Sequence, residues 1–560
     1  MKKYRNLVYF VYLLGGLLVF YPSLSSYFFS DDFAFLTIAR YIGNPLSFFY
    51  YDHFPGGFFY RPLGMLSWWL SYKLVGTHHV LHNLINILIH IGNTCVLFRI
   101  FSLVHANFKL NALLALLFLV HPLTISTTMW LSDRFDLLAT LFIFSSLYSF
   151  FRYRVDGSRH AYFLSIAACM LAVLCKELAY FTPLAITVVA IHFNQDPVRT
   201  MRQKLLEVAP FYAVILLVFG GRFILLRNTA IAHFLGENSL SKVMAGGVWN
   251  WLRLLPNYYS FNADWAHWNI GAWTLIVVTL VVLIGLTLHA LFKPGAVSWS
   301  MIALGLTIML APAILQAPVS FSNLSYNPSG SFDFTNMVDS RFYYLSFAGF
   351  LLAAQQPLSV ACKIFASSNA NANALATYAI YILLAVQSIF FGILSYSLGN
   401  GWSKLSNGQP RHVAEQTSLA VEQLSLPQSG CKLYILDIPS DALYFREYSD
   451  SVIKALVSQG SPAIHCLVLT EKAPWYQIML REDLATMQAV PLRPIIVGGQ
   501  ARLPTLIGDL AYVYLNVPDD IAVARDPNAV FIEFDGQKYI DVTQQVHSGS
   551  KKVNFFSDRP

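Results

Sequence analysis

The chain has 560 residues, of which 56% are hydrophobic, 15% aromatic and only 12% charged. That charged share is about half of what an ordinary soluble domain carries, too little to cover a water-exposed globule. Lys and Arg number 37 against 30 Asp and Glu, a net charge of +7, but the excess is dispersed along the chain, which excludes the basic stripe of a nucleic-acid-binding protein. None of the six cysteines lies in a C-x-x-C pair, so neither a disulfide scaffold nor a zinc ribbon is expected.

Apolar runs close to the roughly 20 residues that cross a bilayer recur up to residue 400 and nearly vanish afterwards. The pattern predicts a polytopic α-helical membrane domain over 1–400 followed by a soluble α/β domain over 401–560. The first run, Leu7 to Phe29, follows Met1-Lys2-Lys3-Tyr4-Arg5. Its length, and the lack of a small-x-small cleavage site before Asp31, mark a retained span rather than a signal peptide. Further spans are expected at 80–104, 111–130, 136–153, 161–175, 178–193, 205–225, 270–292, 297–317, 342–361 and 375–398, about eleven in all.

An odd number of spans puts the two chain ends on opposite sides. With the N-terminus in the cytoplasm, Arg99, Lys109, Arg152, Arg154, Arg159, Arg199, Arg202, Lys204, Lys293 and Lys363 fall in cytoplasmic loops, as the positive-inside rule asks. Loops 30–79, 226–269 and 318–341 and the 401–560 tail then lie outside, in the periplasm beyond a bacterial inner membrane or an equivalent compartment. Loop 30–79 carries Phe48-Phe49-Tyr50-Tyr51 and Leu66 to Leu74 with Trp68 and Trp69, while loop 226–269 carries Trp249, Trp251, Tyr258, Tyr259, Trp265 and Trp268. Both read as interfacial helices or aromatic belts.

An ionisable side chain near a bilayer centre costs roughly 2.5–3.5 kcal/mol or more, so those at or within span ends are functional candidates. Asp31 and Asp32 stand at the outer mouth of the first span, Arg61 lies in Tyr60-Arg61-Pro62-Leu63, and Asp133, Arg134 and Asp136 open the fourth span. Lys176 and Glu177 form a tight outer turn, and Arg341 closes the last outer loop. By the assigned topology all reach one face of the membrane. Taken alone, Lys176-Glu177 or Asp133-Arg134 also looks like a snorkelling interfacial ion pair. Two adjacent like charges emerging from an apolar span are different, because repulsion and poor solvation raise a carboxylate's proton affinity; a catalytic role is expected for at least one of Asp31 and Asp32. His82, Asn86, His90 and Asn93 share one helix face by spacing, a face that calls for protein partners or water.

After Gly399-Asn400-Gly401 the sequence turns polar, and Ser403 to Gly430 reads as a linker or capping segment. Strands are expected at 433–436, 464–469, 494–497, 511–515 and 530–534, with a helix over 442–457. Cys431 and Cys466 lie in or beside neighbouring expected strands of an oxidising compartment, where a disulfide can form.

The run Asp31-Asp32, then Phe59-Tyr60-Arg61-Pro62-Leu63, Gly76 and His82-Asn83 through His90 and Asn93 resembles the opening of the GT-C glycosyltransferases. The nearest likeness is to the protein O-mannosyltransferase type and to the transmembrane O-mannosyltransferases that carry tetratricopeptide repeats. His121-Pro122, Arg134 with Asp136-Leu137-Leu138-Ala139, the Cys175-Lys176-Glu177 turn and Ser340-Arg341-Phe342-Tyr343-Tyr344-Leu345 resemble later motifs in the same order. Departures are Ser126 and Ser340 at positions where those relatives usually carry acids, and the absence of tetratricopeptide repeats.

The resemblance implies a polyprenyl-phosphate-sugar-dependent enzyme that transfers one sugar, with inversion, to an acceptor hydroxyl of a protein, a surface glycan or a lipid at the outer face. A hydroxyl needs a general base, for which Asp31 is the first choice, with Asp32 orienting the acceptor or taking its place. A phosphate leaving group needs cations, and Arg61, Lys176 and Arg341 are available, with Arg134 a weaker candidate. Tyr60, His82, Glu177 and Asp133 are the further substrate-contacting candidates, whereas Trp68 and Trp69 read as interface packing. No residue spacing reads as a dedicated metal site and no cofactor is expected, though a divalent cation stays open. Over 401–560 the reading is an accessory module that binds acceptor or caps the site, with a purely structural appendage as the alternative. The alternative for the whole chain is a transporter or flippase of a lipid-linked glycan, which would show internal repeats and broken spans.

Overall fold

A bilayer offers backbone polar groups no partner but one another, so long apolar runs fold as helices. The computed structural model describes residues 2–50, 60–193, 200–226, 299–322, 340–367, 370–427, 430–442, 445–470, 476–481, 486–491, 495–497, 500–502 and 524–552. The expected span 270–292, nearly all of the aromatic loop 226–269, most of loop 318–341 and the expected strand 511–515 lie outside the described residues.

The described helices are α1 (Lys2–Val19), α2 (Asp32–Tyr41), α3 (Pro62–Val75), α4 (His79–Val104), α5 (Phe108–Val120), α6 (Ile125–Met129), α7 (Arg134–Asp156) and α8 (Arg159–Cys175). They continue with α9 (Thr182–His192), α10 (Met201–Leu226), α11 (Trp299–Ser322), α12 (Tyr344–Ser367), α13 (Ala370–Asn407), α14 (Gln409–Gln423), α15 (Phe445–Leu456) and α16 (Thr543–His547). Among the described residues five segments are long and apolar enough to cross a membrane, namely His79–Val104, Leu131–Asp156, Met201–Arg222, Arg341–Cys362 and Thr377–Gln423. Phe108–Val120 with Pro122–Met129, bent by 55°, makes a sixth if the pair is one broken span. The chain is an integral membrane protein.

About eleven spans were expected, and the described residues supply five or six. Among the described residues, Tyr4–Val19, Arg159–Cys175 and Glu177–His192 are shorter apolar helices, about 24–26 Å long at roughly 1.5 Å per residue, while α11 runs 24 residues. The first of them was expected to run to Phe29. It ends at Val19, and Tyr21–Ser25 tighten into a 3-10 turn, because Pro22 has no N–H to continue the ladder and restricts the residue before it.

The chain divides into two compact units. Of the described residues, the first comprises those within Met1–Leu24, Asn83–Gly221 and Ala232–Asn400, and the second those within Ser25–His82, Arg222–Ile231 and Gly401–Pro560. In the first unit α7 and α8 form a hairpin through Gly157, whose φ of 69° gives the left-handed cap that closes α7. Ser146 and Ser165 tie the hairpin, each hydroxyl donating to the other's carbonyl at 2.8 and 2.7 Å. α11 and α12 approach so closely that a Cβ on Gly305 would collide with the backbone of Ala353, and one on Gly349 with that of Met309. Glycine is what permits this crossing.

The break after α5 is also sequence-made. Pro122 cannot donate, and Leu123 N–H, which a continued helix would send to Leu119 O, bonds His121 Nδ1 at 3.2 Å instead. The carbonyls so released are met from other helices: His90 Nε2 lies 3.0 Å from Leu119 O, and Ser395 Oγ donates to Val120 O at 2.7 Å.

The stretch 403–430 is helical as far as Gln423, contrary to the expected linker. α13 runs on to Asn407, and α14 follows with Pro410 in its first turn, where a missing N–H costs nothing. Val413, Ala414, Thr417 and Val421 are its buried face, a helical spacing diluted by the polar residues around it.

The strands are β1 (Lys432–Leu436), β2 (Leu467–Thr470), β3 (Tyr476–Arg481), β4 (Thr486–Pro491), β5 (Ile495–Val497), β6 (Gln500–Arg502), β7 (Ala529–Phe534) and β8 (Tyr539–Asp541). One sheet has the order β2-β1-β7-β8, with β1 parallel to both neighbours and β7 antiparallel to β8. Cross-strand partners Tyr434 and Phe531 stack at 4.9 Å and share a buried cluster with Leu436, Leu469, Val542 and Val546. Cys431 and Cys466, one residue before β1 and β2, form a disulfide. β3 with β4 and β5 with β6 are separate antiparallel pairs.

At the start of β1, Lys432 Nζ lies 2.5 Å from Asp526, which also accepts Asn528 N–H at 2.9 Å. Burial pushes the Asp526 carboxyl up, but these hydrogen bonds and the ammonium charge hold it below its ordinary 3.8. A depressed carboxylate adds stability above its unfolded pKa and loses it as pH falls through the folded value. Lys432→Met is expected to cost less than about 1 kcal/mol at neutral pH, since the pair is partly exposed, and the gap should close in acid. Thermal unfolding across pH reads this; a gap that persists unchanged in acid contradicts the electrostatic account.

Candidate functional site

The two acids belong to the second unit. Ser30 takes φ 56°, a left-handed conformation uncommon for a residue with a side chain, and this turn delivers Asp31 to the N-cap of α2 and Asp32 to its first turn. Asp32 is 1% exposed, and its Oδ2 accepts Phe29 N–H at 2.9 Å while Asp32 N–H returns to Phe29 O at 3.1 Å. Its carboxylate thus locks the turn, favoured by the positive end of the helix dipole. Asp31 is more exposed, and its carbonyl accepts the N–H groups of Ala34 and Phe35. The sequence set the two acids side by side; the structure distinguishes them.

Other candidates of this unit frame the next turn. Tyr60 O–H donates to Phe49 O at 2.9 Å, and burial raises its pKa. Arg61 is the N-cap of α3, half-buried, with Pro62 as the first helical residue. His82 is fully buried, stacked on Trp68 at 5.7 Å, and its Nε2 lies 2.9 Å from Gly76 O. A carbonyl can only accept, so that nitrogen carries the hydrogen. Trp68 is itself wholly buried against Phe35 and His82.

The remaining candidates belong to the first unit and hang on α4. Asn86, His90 and Asn93 are fully buried. Asn86 Oδ1 accepts Arg134 Nε–H at 2.8 Å and its amide reaches Trp130 O at 3.4 Å. Asn93 donates to Leu137 O and to Tyr344 Oη, both at 3.0 Å. His90 Nδ1 lies 2.7 Å from the same hydroxyl; with Nε2–H given to Leu119 O, Tyr344 O–H donates to Nδ1. One polar edge thereby fixes the segment carrying Asp133, Arg134 and Asp136.

Arg134 is fully buried at the start of α7. Asp136 pairs with Lys176, whose position follows from the end of α8 and the 3-10 turn Glu177–Phe181. Arg341 Nη1 stands 3.8 Å from Asp133, and its guanidinium lies 4.4 Å over the Trp130 ring, a cation–π contact. The spacing argument missed Trp130 and Asn86 as partners of these arginines. Asn86 was visible as part of the stripe, and Trp130 only as the aromatic residue before Asp133.

The ion pair Asp136–Lys176 is nearly dry, with side chains 2% and 13% exposed. Breaking such a pair leaves a buried charge and costs roughly 3–5 kcal/mol. Lys176→Met alone is therefore expected to destabilise more than the Asp136→Asn, Lys176→Met double variant, read by thermal unfolding in nanodiscs. Additive losses would contradict the pairing.

Part of the chain is similar to a known protein of the type the motifs resemble. A stretch of 139 residues is 32% identical to human protein O-mannosyl-transferase TMTC4, covering 21% of this chain and 19% of that protein. The chain therefore matches about a fifth of that relative's length. Among solved structures, ArnT from Cupriavidus metallidurans bound to undecaprenyl phosphate is similar at a TM-score of 0.44 and 13% identity, over 81% of this chain and 86% of that one. The Archaeoglobus fulgidus oligosaccharyltransferase tethered to an acceptor peptide is similar at 0.42 and 13% identity, over 81% of this chain and 63% of that one. No family model matches the sequence.

Proposed function

We propose that the chain is a GT-C glycosyltransferase that moves a single sugar from a polyprenyl-phosphate-linked donor to an acceptor hydroxyl of a protein, a surface glycan or a lipid. The observation that carries the reading is the Ser30–Asp32 turn, in which Asp32 is buried and accepts the Phe29 N–H while Asp31, the N-cap of α2, is the less buried residue of the two. In the proposed step the acceptor oxygen attacks the anomeric carbon, its proton passes to Asp31, and the bond to phosphate oxygen breaks with inversion. A general base supplies the nucleophile that a neutral hydroxyl lacks.

Polyprenyl phosphate leaves with added negative charge, which cationic donors stabilise. Arg341 is the first choice among the cations, since its planar fork can hold a phosphate through two hydrogen bonds. Arg61 and Lys176 are assigned the same class of role, and Arg134 a lesser one. Lys176 would exchange part of its bond with Asp136 for the phosphate. Tyr60, His82, Glu177 and Asp133 are assigned to substrate contact or to holding those cations. No metal ion has a part in the proposal. The N-terminus is placed in the cytoplasm, residues 401–560 outside a bacterial inner membrane, and the human relative's name supports a transferase to protein hydroxyls among the acceptor classes.

The test is release of free polyprenyl phosphate from a panel of synthetic polyprenyl-phosphate sugars by the purified chain in nanodiscs. Wild type should release it from at least one donor, the Asp31→Asn, Asp32→Asn double variant should not, and Arg341→Ala should lower kcat/KM for donor by about tenfold or more. Equal release by wild type and the double variant would contradict the assigned chemistry. Silence with every donor and acceptor, together with glycan flipping in vesicles, would favour the transporter.

A further inference from the structure

The acid turn is held on both sides by residues that come after position 400. On the approach to it, Tyr27 N–H donates to Ser406 Oγ at 3.1 Å, Ser25 and Ser403 share a hydroxyl bond of 2.7 Å, and Asn407 donates to Ser25 O at 2.7 Å. Phe29, whose N–H binds Asp32, meets Trp402 edge to face at 5.7 Å. Beyond the turn, α2 lies against α15. Thr37 Oγ1 donates to Ser451 O at 2.9 Å, and Arg40 Nη1 donates to Ala455 O at 2.6 Å and Lys454 O at 3.3 Å.

These contacts share one logic. Thr37 and Arg40 are three residues apart, hence on one face of α2, and Ser451 and Ala455 are four apart, hence on one face of α15. Lys454 and Ala455 lie in the last turn of α15, whose carbonyls have no partner within the helix. A guanidinium there satisfies them and meets the negative end of the helix dipole. α2 itself is buried from Asp32 to Ala39, so it has little freedom to move apart from what it packs against.

We infer that Trp402–Asn407 and α15 form a clamp that sets the position of Asp31, and that Thr37 and Arg40 are its positioning residues. The inference rests on the proposed function for its chemical consequence, and it gives the chain after 400 a part in that reaction. The clamp acts through the pose of α2: Arg40 fixes the C-terminal end of the helix, the serine contacts fix the strand of chain entering it, and the strained Ser30 turn between them holds the carboxylates. A reacting group displaced by about 1 Å loses on the order of a hundredfold in rate, so modest loosening should register in kcat.

The experiment uses the full chain in nanodiscs with the donor found by the panel and compares wild type with Thr37→Val, Arg40→Met and Arg40→Lys. A clamp predicts kcat lower by roughly tenfold or more in Arg40→Met with donor KM within about twofold. Thr37→Val should lose less, and Arg40→Lys, which keeps a cationic donor, should recover part of the rate. Wild-type kcat in both Arg40→Met and Thr37→Val overturns the inference, as does a rise in KM at unchanged kcat. Hydrogen exchange at residues 30–36 is read on the same samples and needs no turnover. It should quicken in Thr37→Val and in Arg40→Met, and unchanged protection overturns the clamp even if Arg40→Met folds poorly. Absence of donor turnover in wild type, by contrast, removes the proposed function alone.

Discussion

A proline that breaks a helix at membrane depth releases carbonyls that water cannot reach, each costing several kcal/mol if left unmet. In this chain His90, on the polar edge of α4, takes Leu119 O at the break after α5, and Ser395 takes Val120 O. Along the same edge Asn93 bonds Leu137 O and Asn86 reaches Trp130 O. His90 and Asn86 are held by both ends of the side chain and Asn93 by two bonds from its Nδ2, so each also has a second partner: Tyr344 for His90 and Asn93, Arg134 for Asn86. The start of α7, with Asp133, Arg134 and Asp136, is thereby fixed by the same edge that helps make the break tolerable. Replacing the stripe with apolar residues would remove both functions at once.

Adjacent carboxylates pose a related problem of like charge in poor solvent. The second unit resolves it by giving them different surroundings. Asp32 is buried and bonded to Phe29 N–H at the positive end of α2, so its charge is spent on holding the turn. Asp31 occupies the N-cap, with more exposure, which suits the general base proposed there. The cations are restrained in turn by neighbours rather than left as bare charges: Lys176 by Asp136, and Arg341 by Asp133 and the face of Trp130. Such restraint keeps a guanidinium oriented, as the proposed contact with a phosphate requires.

Much of this was legible in residue spacing. The stripe from His82 to Asn93 lies on one helix, β1, β2, β5 and β7 form within or close to the expected strand positions, and Cys431 pairs with Cys466. What escaped the sequence depended on partners far along the chain. Lys176 and Glu177 read as an adjacent pair, yet Lys176 bonds Asp136, 40 residues away. Nothing in the local sequence singles out Arg40, and its carbonyl partners lie 414 and 415 residues further on. α14 was hidden because four apolar or small positions are outnumbered by polar ones, and α1 was overextended because the apolar run continues past the proline that stops the helix. Local pattern reports which face an element will bury; it is silent on what that face will meet.

The account turns on a division of labour between two neighbouring acids, so its most direct test separates them. Asp31→Asn and Asp32→Asn, each alone, should be compared for donor turnover and for thermal stability in nanodiscs. The expected result is that Asp31→Asn loses turnover by at least about a hundredfold with the melting point of wild type, whereas Asp32→Asn lowers both. Wild-type turnover in Asp31→Asn, or a loss confined to Asp32→Asn with its stability intact, would contradict the account.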